Sequence, residues 1–197
     1  MSIKPRHLSH LLLDIEGTTC PVNYVTGVLF PYASRSVTTY LEAHSEDNDV
    51  RNLLTDITQA WENDDSAYPR ELFAQRKHHD PIACIPYIQW LIQEDRKLTA
   101  LKDLQGKIWD EGYKRGDLVA PLFADVADTL KAWKNQGMII NSYSSGSLQA
   151  HKLLYQHSTS GDLRFLFSHW FDTSIGNKKE AISYQQISLT MGTEPSM

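Results

Sequence analysis

A short apolar run that ends in an acidic turn constrains the fold of this chain more than any other feature. The three consecutive leucines from Leu11 to Leu13 are typical of a parallel strand that is covered on both faces. They are followed directly by Asp14-Ile15-Glu16-Gly17-Thr18-Thr19, in which Gly17 permits a turn that larger residues resist. Asp14 would therefore lie at the carboxyl end of a strand, where open α/β sheets bind their ligands.

The residue types in this turn indicate phosphoryl chemistry. Successive backbone N–H groups in such a turn form an anion-binding nest. A carboxylate beside an anion site suits attack on a phosphate, with Asp14 as the nucleophile. The alternative is an ordinary polar turn, in which Asp14 only caps a helix or shapes the loop.

Composition is that of a globular protein and argues against several kinds of partner. Of 197 residues, 41% are apolar and 22% are charged, which are ordinary values for a globular domain. The net charge of -5, without a Lys/Arg run, does not indicate a nucleic-acid binder. The apolar run before Asp14 is too short for a membrane span or a signal peptide. Cys20 and Cys84 do not make a disulfide framework and indicate reduced thiols. We therefore expect a cytoplasmic protein that binds neither nucleic acid nor membranes.

The middle of the chain changes to a helical pattern. Apolar residues recur there at helical spacing, as at Leu53, Leu54, Ile57 and Trp61. No alternating strand pattern interrupts them. We predict an all-helical insertion over residues 30–116, so that residues 1–29 and 117–197 together form the core.

The pattern of strand, polar turn and helix resumes after the insertion. A second apolar strand over residues 138–143 ends in Ser144-Ser145-Gly146-Ser147, and residues 169–173 are a third candidate strand. Helices are predicted over residues 124–134, 148–155 and 180–191. The sequence therefore predicts an α/β fold with a parallel-sheet core.

Five segments of the chain together resemble one family. Asp-x-(Asp/Glu)-Gly-Thr after an apolar strand is similar to the first motif of the haloacid dehalogenase-like phosphohydrolases. The variant with Glu16, where most of that superfamily has Asp, resembles the enolase-phosphatases (acireductone synthases) of methionine salvage. Four further segments match that family in the expected order, at residues 28–33, 95–109, 143–147 and 171–178.

The resemblance implies a fold, a reaction and a cofactor. The fold would be a Rossmann-like core of the haloacid dehalogenase type, with the helical insertion as a cap that closes over the site. The reaction would convert 2,3-diketo-5-methylthiopentyl 1-phosphate to acireductone (1,2-dihydroxy-3-keto-5-methylthiopentene) and phosphate, by enolisation and then phosphate removal. The resemblance implies one Mg²⁺ per subunit. We expect a monomer whose partner is the small phosphorylated diketone.

The resemblance also assigns roles to residues of the core. Asp14 would be the nucleophile and a Mg²⁺ ligand, and Glu16 would act as a general acid/base or help to bind Mg²⁺. Ser144, with Ser145 and the Gly146 N–H, would bind the substrate phosphate, since a helix N-terminus is itself an anion site. The alternative for these three residues is an ordinary serine-rich helix start.

The remaining predicted site residues are a lysine of the core and a face of the cap. Lys178 matches the family's phosphate-neutralising lysine, and Lys179 is the alternative if the loop is shifted by one residue. Without the resemblance, both would be read as solvated lysines. Lys102, Gln105 and Trp109 are spaced so that one helix face carries them. We expect Lys102 and Gln105 to contact the substrate, and the alternative is a face that Trp109 packs onto the protein.

One segment that the resemblance implies is missing. After Lys178 the superfamily supplies a further apolar strand that ends in a pair of acids for Mg²⁺, whereas this sequence ends at Met197. Glu194 follows no apolar strand and is a poor substitute. We therefore expect a core that is truncated at its carboxyl end, with weak Mg²⁺ binding, poor turnover and an exposed edge on the first strand.

Other functions and sites stay open at this point. The chain could be a generic small-molecule phosphatase of the same superfamily, or an inactive, phosphate-binding remnant. His78 and His79 beside Asp80 could suggest a metal site, but adjacent histidines on a loop lack chelating geometry, and we interpret them as surface residues.

Overall fold

A computed structural model describes residues 8–76, 80 and 82–193. The histidines His78 and His79 and the candidate acid Glu194 lie outside the described residues. The chain divides into two compact units, Met1–Tyr24 with Leu118–Met197 and Val25–Asp117, which we call the sheet unit and the helical unit.

In chain order the secondary-structure elements are β1 (His10–Leu13), α1 (Val22–Tyr24), a π-helical turn (Val25–Leu29), α2 (Phe30–His44), α3 (Asn48–Glu62), α4 (Ala67–Gln75), α5 (Ile85–Gln93), α6 (Thr99–Arg115), α7 (Val126–Asn135), β2 (Ile139–Tyr143), α8 (Leu148–Gln156), a 3-10 turn (Arg164–Leu166), β3 (Phe167–Phe171) and α9 (Ala181–Thr190).

The sheet unit is built on three parallel strands in the order β1-β2-β3. Leu13 pairs with Ser142, and Tyr143 pairs with Phe171, so the three strands end at the same edge of the sheet. This arrangement confirms the predicted α/β fold with a parallel sheet. The third strand begins and ends two residues before the predicted range, at Phe167–Phe171. The reason is that Asp172 already begins a turn, in which its Oδ1 accepts a hydrogen bond from the backbone N–H of Ser174 at 2.9 Å.

Apolar side chains and one polar link hold the strands together. The core residues of the sheet unit around β2 are Tyr143, Phe171 and Ile187, with Leu12, Ile175 and Met191 packed against them. The buried Asn141 side chain donates a hydrogen bond to the Leu11 carbonyl at 3.1 Å, and His169 Nδ1 lies 3.0 Å from Asn141 Oδ1. Among the described residues β1 has a strand neighbour on one side only, so it forms an edge of the sheet.

The regular structure of the helical unit is helical throughout its described part. Helix α2 packs against α5 and α6, and α3 packs against α6. Gly112 on α6 allows a close approach, because a Cβ there would lie 2.7 Å from the ring of Tyr32 on α2. Trp61 stacks on Tyr87 at a ring-centroid distance of 5.2 Å. The role of this unit as a cap stays a prediction.

None of the helices in the described part of the chain has the length and apolar character that crossing a membrane requires.

Candidate active site

Asp14 lies directly after β1, at the start of a tight turn. Its Oδ1 accepts a hydrogen bond from the Ile15 N–H at 2.8 Å, which orients the carboxylate. Gly17 has a φ of +76°, a backbone conformation that residues with a Cβ rarely adopt. A Cβ at this position would also lie 3.2 Å from Val22 Cγ2. The turn that the Gly17 pattern predicts is therefore present, and it starts at the carboxyl edge of the sheet.

The expected anion nest is not formed by the amides of residues 17–20. The N–H groups of Thr18, Thr19 and Cys20 all donate to the Ile15 carbonyl, at 3.1, 2.9 and 3.1 Å. The Gly17 N–H donates to the Cys20 carbonyl at 2.8 Å. This part of the prediction was wrong, because the turn closes on itself and uses these donors internally.

A lysine from the loop before α9 pairs with Asp14. Lys178 Nζ lies 2.6 Å from Asp14 Oδ2, and the two side chains are 29% and 40% exposed. Lys179, the alternative in the sequence, is exposed, and its backbone N–H donates to Asn177 Oδ1 at 2.9 Å. The structure thus brings together two predicted catalytic residues that are far apart in the chain.

The serine-rich loop joins the end of β2 to α8. Ser144 is buried, and its backbone N–H donates to the Phe171 carbonyl at 3.2 Å. Ser147 is the N-cap of α8, since its Oγ accepts a hydrogen bond from the Ala150 N–H at 3.2 Å. Gly146 lies against the buried His151, and a Cβ at Gly146 would stand 3.2 Å from His151 Nε2. The loop is therefore anchored at both ends on the carboxyl edge that also carries Asp14.

The carboxylates of Asp14 and Glu16 both affect the pKa of the buried Cys20 thiol. Burial, as the largest cause, and the negative charges of Glu16 and Asp14 together raise the pKa of Cys20 to about 12. Both carboxylates are thus close to Cys20 in space. Among the residues that the structure describes, no three His, Cys, Asp or Glu side chains converge as a metal site.

The two predicted cap residues lie on α6 in the helical unit. Gln105 is only 5% exposed, so little of its amide is available to a ligand. Lys102, one turn earlier, is half-buried. Trp109 packs within the unit, where its Nε1–H donates to the Leu29 carbonyl at 2.8 Å and its ring stacks on Phe30. Substrate contact by Lys102 and Gln105 stays a prediction.

Tyr143 and Tyr184 belong to the site although the sequence analysis did not single them out. Lys178 Nζ lies 5.7 Å from the centre of the Tyr143 ring, and the Tyr184 hydroxyl donates to the Lys178 carbonyl at 2.8 Å. No local pattern predicts these contacts, because Tyr143 and Lys178 are in different elements and Tyr184 is on a separate helix. Tyr143 begins the family-like segment at residues 143–147, which was the one available signal.

Known proteins are similar to this chain over nearly its whole length. The chain is 48% identical over 192 residues to the enolase-phosphatase E1 of Parasynechococcus marenigrum (strain WH8102) and 44% identical over 192 residues to that of Synechococcus elongatus. These matches cover 96% and 98% of this chain, and 78% and 79% of the two relatives. No protein-family model matches the chain.

Solved structures support the same relationship. The UTR4 protein of Saccharomyces cerevisiae has a TM-score of 0.73 and 30% sequence identity, and the match covers 94% of this chain and 76% of that one. CbbY from Rhodobacter sphaeroides in complex with phosphate has a TM-score of 0.50 and 16% identity over 95% of this chain and 74% of that one, and it shows the fold alone. On the sequence identity and the coverage of its relatives, this chain belongs to the enolase-phosphatase E1 family.

Proposed function

We propose that this chain converts 2,3-diketo-5-methylthiopentyl 1-phosphate to acireductone and phosphate, as a Mg²⁺-dependent enolase-phosphatase of methionine salvage. The observation that carries the proposal is the pair of Asp14 and Lys178 at the carboxyl edge of the sheet, 2.6 Å apart. It brings a nucleophile and a cation together next to the Ser144 loop, in a chain that belongs to the enolase-phosphatase E1 family.

Phosphate removal takes place in two displacement steps at phosphorus. Asp14 attacks, an oxygen–phosphorus bond to Asp14 forms, and the bond from phosphorus to the substrate oxygen breaks. Glu16 gives a proton to that leaving oxygen. Water then attacks the aspartyl phosphate and gives a proton to Glu16, the bond from phosphorus to Asp14 breaks, and phosphate leaves with Asp14 restored. The loop at Ser144, Ser145 and Gly146 binds the phosphate oxygens from the N-terminal end of α8.

Electrostatic repulsion explains why Lys178 is needed in this reaction. A carboxylate that approaches a phosphate dianion to about 4 Å meets roughly 8 kcal/mol of repulsion at an intermediate dielectric constant. A cation placed beside the attacking carboxylate offsets part of this repulsion and stabilises the charge that builds up during transfer. Lys178 already holds that place beside Asp14.

Enolisation needs a base that takes a proton from the carbon next to a carbonyl. Glu16 has a longer side chain than the Asp found at this position in most of the superfamily, which gives it reach toward a second proton site on the substrate. We assign to Glu16 the proton transfers of both enolisation and phosphate removal. Lys102 and Gln105 would contact the part of the substrate beyond the phosphate.

The residues present fit Mg²⁺ in donor chemistry. Mg²⁺ is commonly bound through one or two carboxylates together with phosphate oxygens and water, and Asp14 and Glu16 would supply the two carboxylates. When bound, Mg²⁺ would neutralise phosphate charge and stabilise an enolate oxygen.

We also propose that the protein is cytoplasmic and monomeric. The two cysteines, Cys20 and Cys84, are both buried as free thiols, which suits a reducing compartment. Sedimentation equilibrium of the purified chain tests the monomer, because a dimer would have twice the 22.5 kDa mass of the chain.

The test compares Asp14→Asn with wild type on the diketone phosphate and on a simple phosphate monoester. We expect phosphate release by Asp14→Asn to fall to background without loss of folding. Asp128→Asn is the matched control, because that carboxylate is 93% exposed on α7 of the same unit. Substantial turnover by a folded Asp14→Asn variant would overturn the nucleophile assignment. Wild-type turnover of the simple monoester alone would instead indicate a generic phosphatase.

A further inference from the structure

Three side-chain hydroxyl groups donate hydrogen bonds to three consecutive backbone carbonyls of the loop that carries Lys178. The bonds are 2.8 to 2.9 Å long, and their donors and acceptors are Tyr143 to Gly176, Ser183 to Asn177 and Tyr184 to Lys178. One donor comes from β2 and two come from α9. The loop is therefore fixed from the sheet and from the helix at the same time.

Close packing leaves this loop no room to shift toward α9. Gly176 has a φ of +143°, which favours glycine, and a Cβ there would stand 3.0 Å from Ser183 Cβ and closer still to its Oγ. Ser183 is fully buried, so its hydroxyl has the Asn177 carbonyl as its acceptor and no water in its place. The Asn177 carbonyl also accepts a hydrogen bond from the Glu180 N–H at 3.0 Å, so two donors fix the loop at this point.

The two tyrosines also contact each other and the lysine side chain. Their rings meet edge to face with centroids 5.6 Å apart, a favourable aromatic geometry. The face of the Tyr143 ring lies 5.7 Å from Lys178 Nζ, within cation–π range. Backbone and side chain of Lys178 are thus both in contact with the same aromatic pair.

We infer that Tyr143, Ser183 and Tyr184 are positioning residues that hold Lys178 against Asp14. A lysine has a flexible side chain, so the position of its ammonium group depends on how well its backbone is fixed. A small misplacement of a reacting group can reduce a rate by about 100-fold. The inference rests on the proposed function, in which Lys178 offsets the charge of the phosphate.

The experiment removes hydroxyl groups and keeps the rings. In the double variant Tyr143→Phe/Tyr184→Phe, we expect kcat/KM for phosphate release to fall by about 10- to 100-fold. Ser188→Ala is the matched control, because its hydroxyl donates to the Tyr184 carbonyl within α9 at 2.8 Å but does not touch the loop. We expect the control to retain kcat/KM within about twofold, because it leaves the three hydrogen bonds to the loop in place.

A double-mutant cycle separates positioning from general stability. In a Lys178→Gln background the two Tyr→Phe changes should have less than about a twofold further effect, because the group that they position is gone. Hydrogen exchange gives a readout that does not depend on turnover. The amides of residues 176–180 should exchange faster in the Tyr→Phe variant, while the strands of the sheet unit exchange as in wild type.

Three outcomes overturn the inference: wild-type kcat/KM in the Tyr→Phe variant, an undiminished loss in the Lys178→Gln background, or faster exchange throughout the sheet unit. If wild type itself releases no phosphate, the proposed function fails. The hydrogen-exchange measurement still decides in that case whether the hydroxyl groups fix the loop.

Discussion

At the scale of single residues, the contact with Asp14 identifies which of two neighbouring lysines, Lys178 or Lys179, we expect to take part in the reaction. Lys178 Nζ is 2.6 Å from the Asp14 carboxylate, whereas Lys179 is exposed. Lys178→Gln removes the charge that offsets phosphate repulsion, and we expect phosphate release to fall by about 100- to 1,000-fold, as for the loss of one stabilising donor. Lys179→Gln should stay within about twofold of wild type. Steady-state kinetics on both variants checks this, and equal losses would show that the loop carries no single functional lysine.

The cysteines make a second prediction at the residue scale. Burial and two nearby carboxylates raise the pKa of Cys20 to about 12, and burial raises the pKa of Cys84 to about 11. Because the thiolate is the reactive form, neither cysteine should react with a disulfide reagent at about pH 8 in the native protein. Both should react after unfolding in urea, and native reactivity should rise only as the pH approaches the raised values. Rapid labelling of the native protein at about pH 8 would contradict this prediction.

At the scale of elements, one glycine sets the approach of two helices in the helical unit. A Cβ on Gly112 of α6 would lie 2.7 Å from the Tyr32 ring on α2. Tyr32 is also fixed by its hydroxyl, which donates to Asp117 Oδ2 at 2.9 Å, so the ring has little freedom to move away. We expect Gly112→Ala to lower the free energy of unfolding by about 1–3 kcal/mol, the usual cost of overpacking.

Urea denaturation measures this change as a shift in the transition midpoint. Gly27→Ala is the control, because no atom lies within 4 Å of a Cβ at that exposed position. An unchanged or raised midpoint for Gly112→Ala would mean that α2 and α6 can separate at no cost.

At the scale of the whole molecule, the chain divides its residues between a sheet unit and a helical unit. In the proposed function the sheet unit carries the phosphate chemistry and the helical unit recognises the rest of the substrate. Gln105→Ala should therefore reduce kcat/KM for the diketone phosphate far more than for a minimal phosphate ester. Gln105 is buried, so a loss of stability will accompany the change, and rates must be expressed per folded protein. Equal losses on both substrates would show that Gln105 is a packing residue.

The local sequence pattern was enough to predict the strands and helices that hold the candidate site residues. Three leucines before Asp14 predicted β1, because a parallel strand buries a continuous apolar run. The same signal predicted the strand before Ser144, and helical spacing predicted the helices of residues 30–116. Such signals are properties of adjacent residues, so they can be read without knowing what packs against them. The boundaries depend on the turns that follow, as at β3, where a turn around Asp172 ends the strand two residues before the predicted end.

Sequence alone therefore determined the strand, turn and helix types, the position of Asp14 at a strand end and the family resemblance. Only the tertiary structure decided how the donors and charges pair. It showed that the amides of residues 18–20 donate to the Ile15 carbonyl, that Lys178 rather than Lys179 meets Asp14, and that hydroxyl groups from β2 and α9 hold the lysine loop. These pairings join residues that are distant in the chain. They depend on the register of the sheet and the packing of α9, which no local spacing encodes.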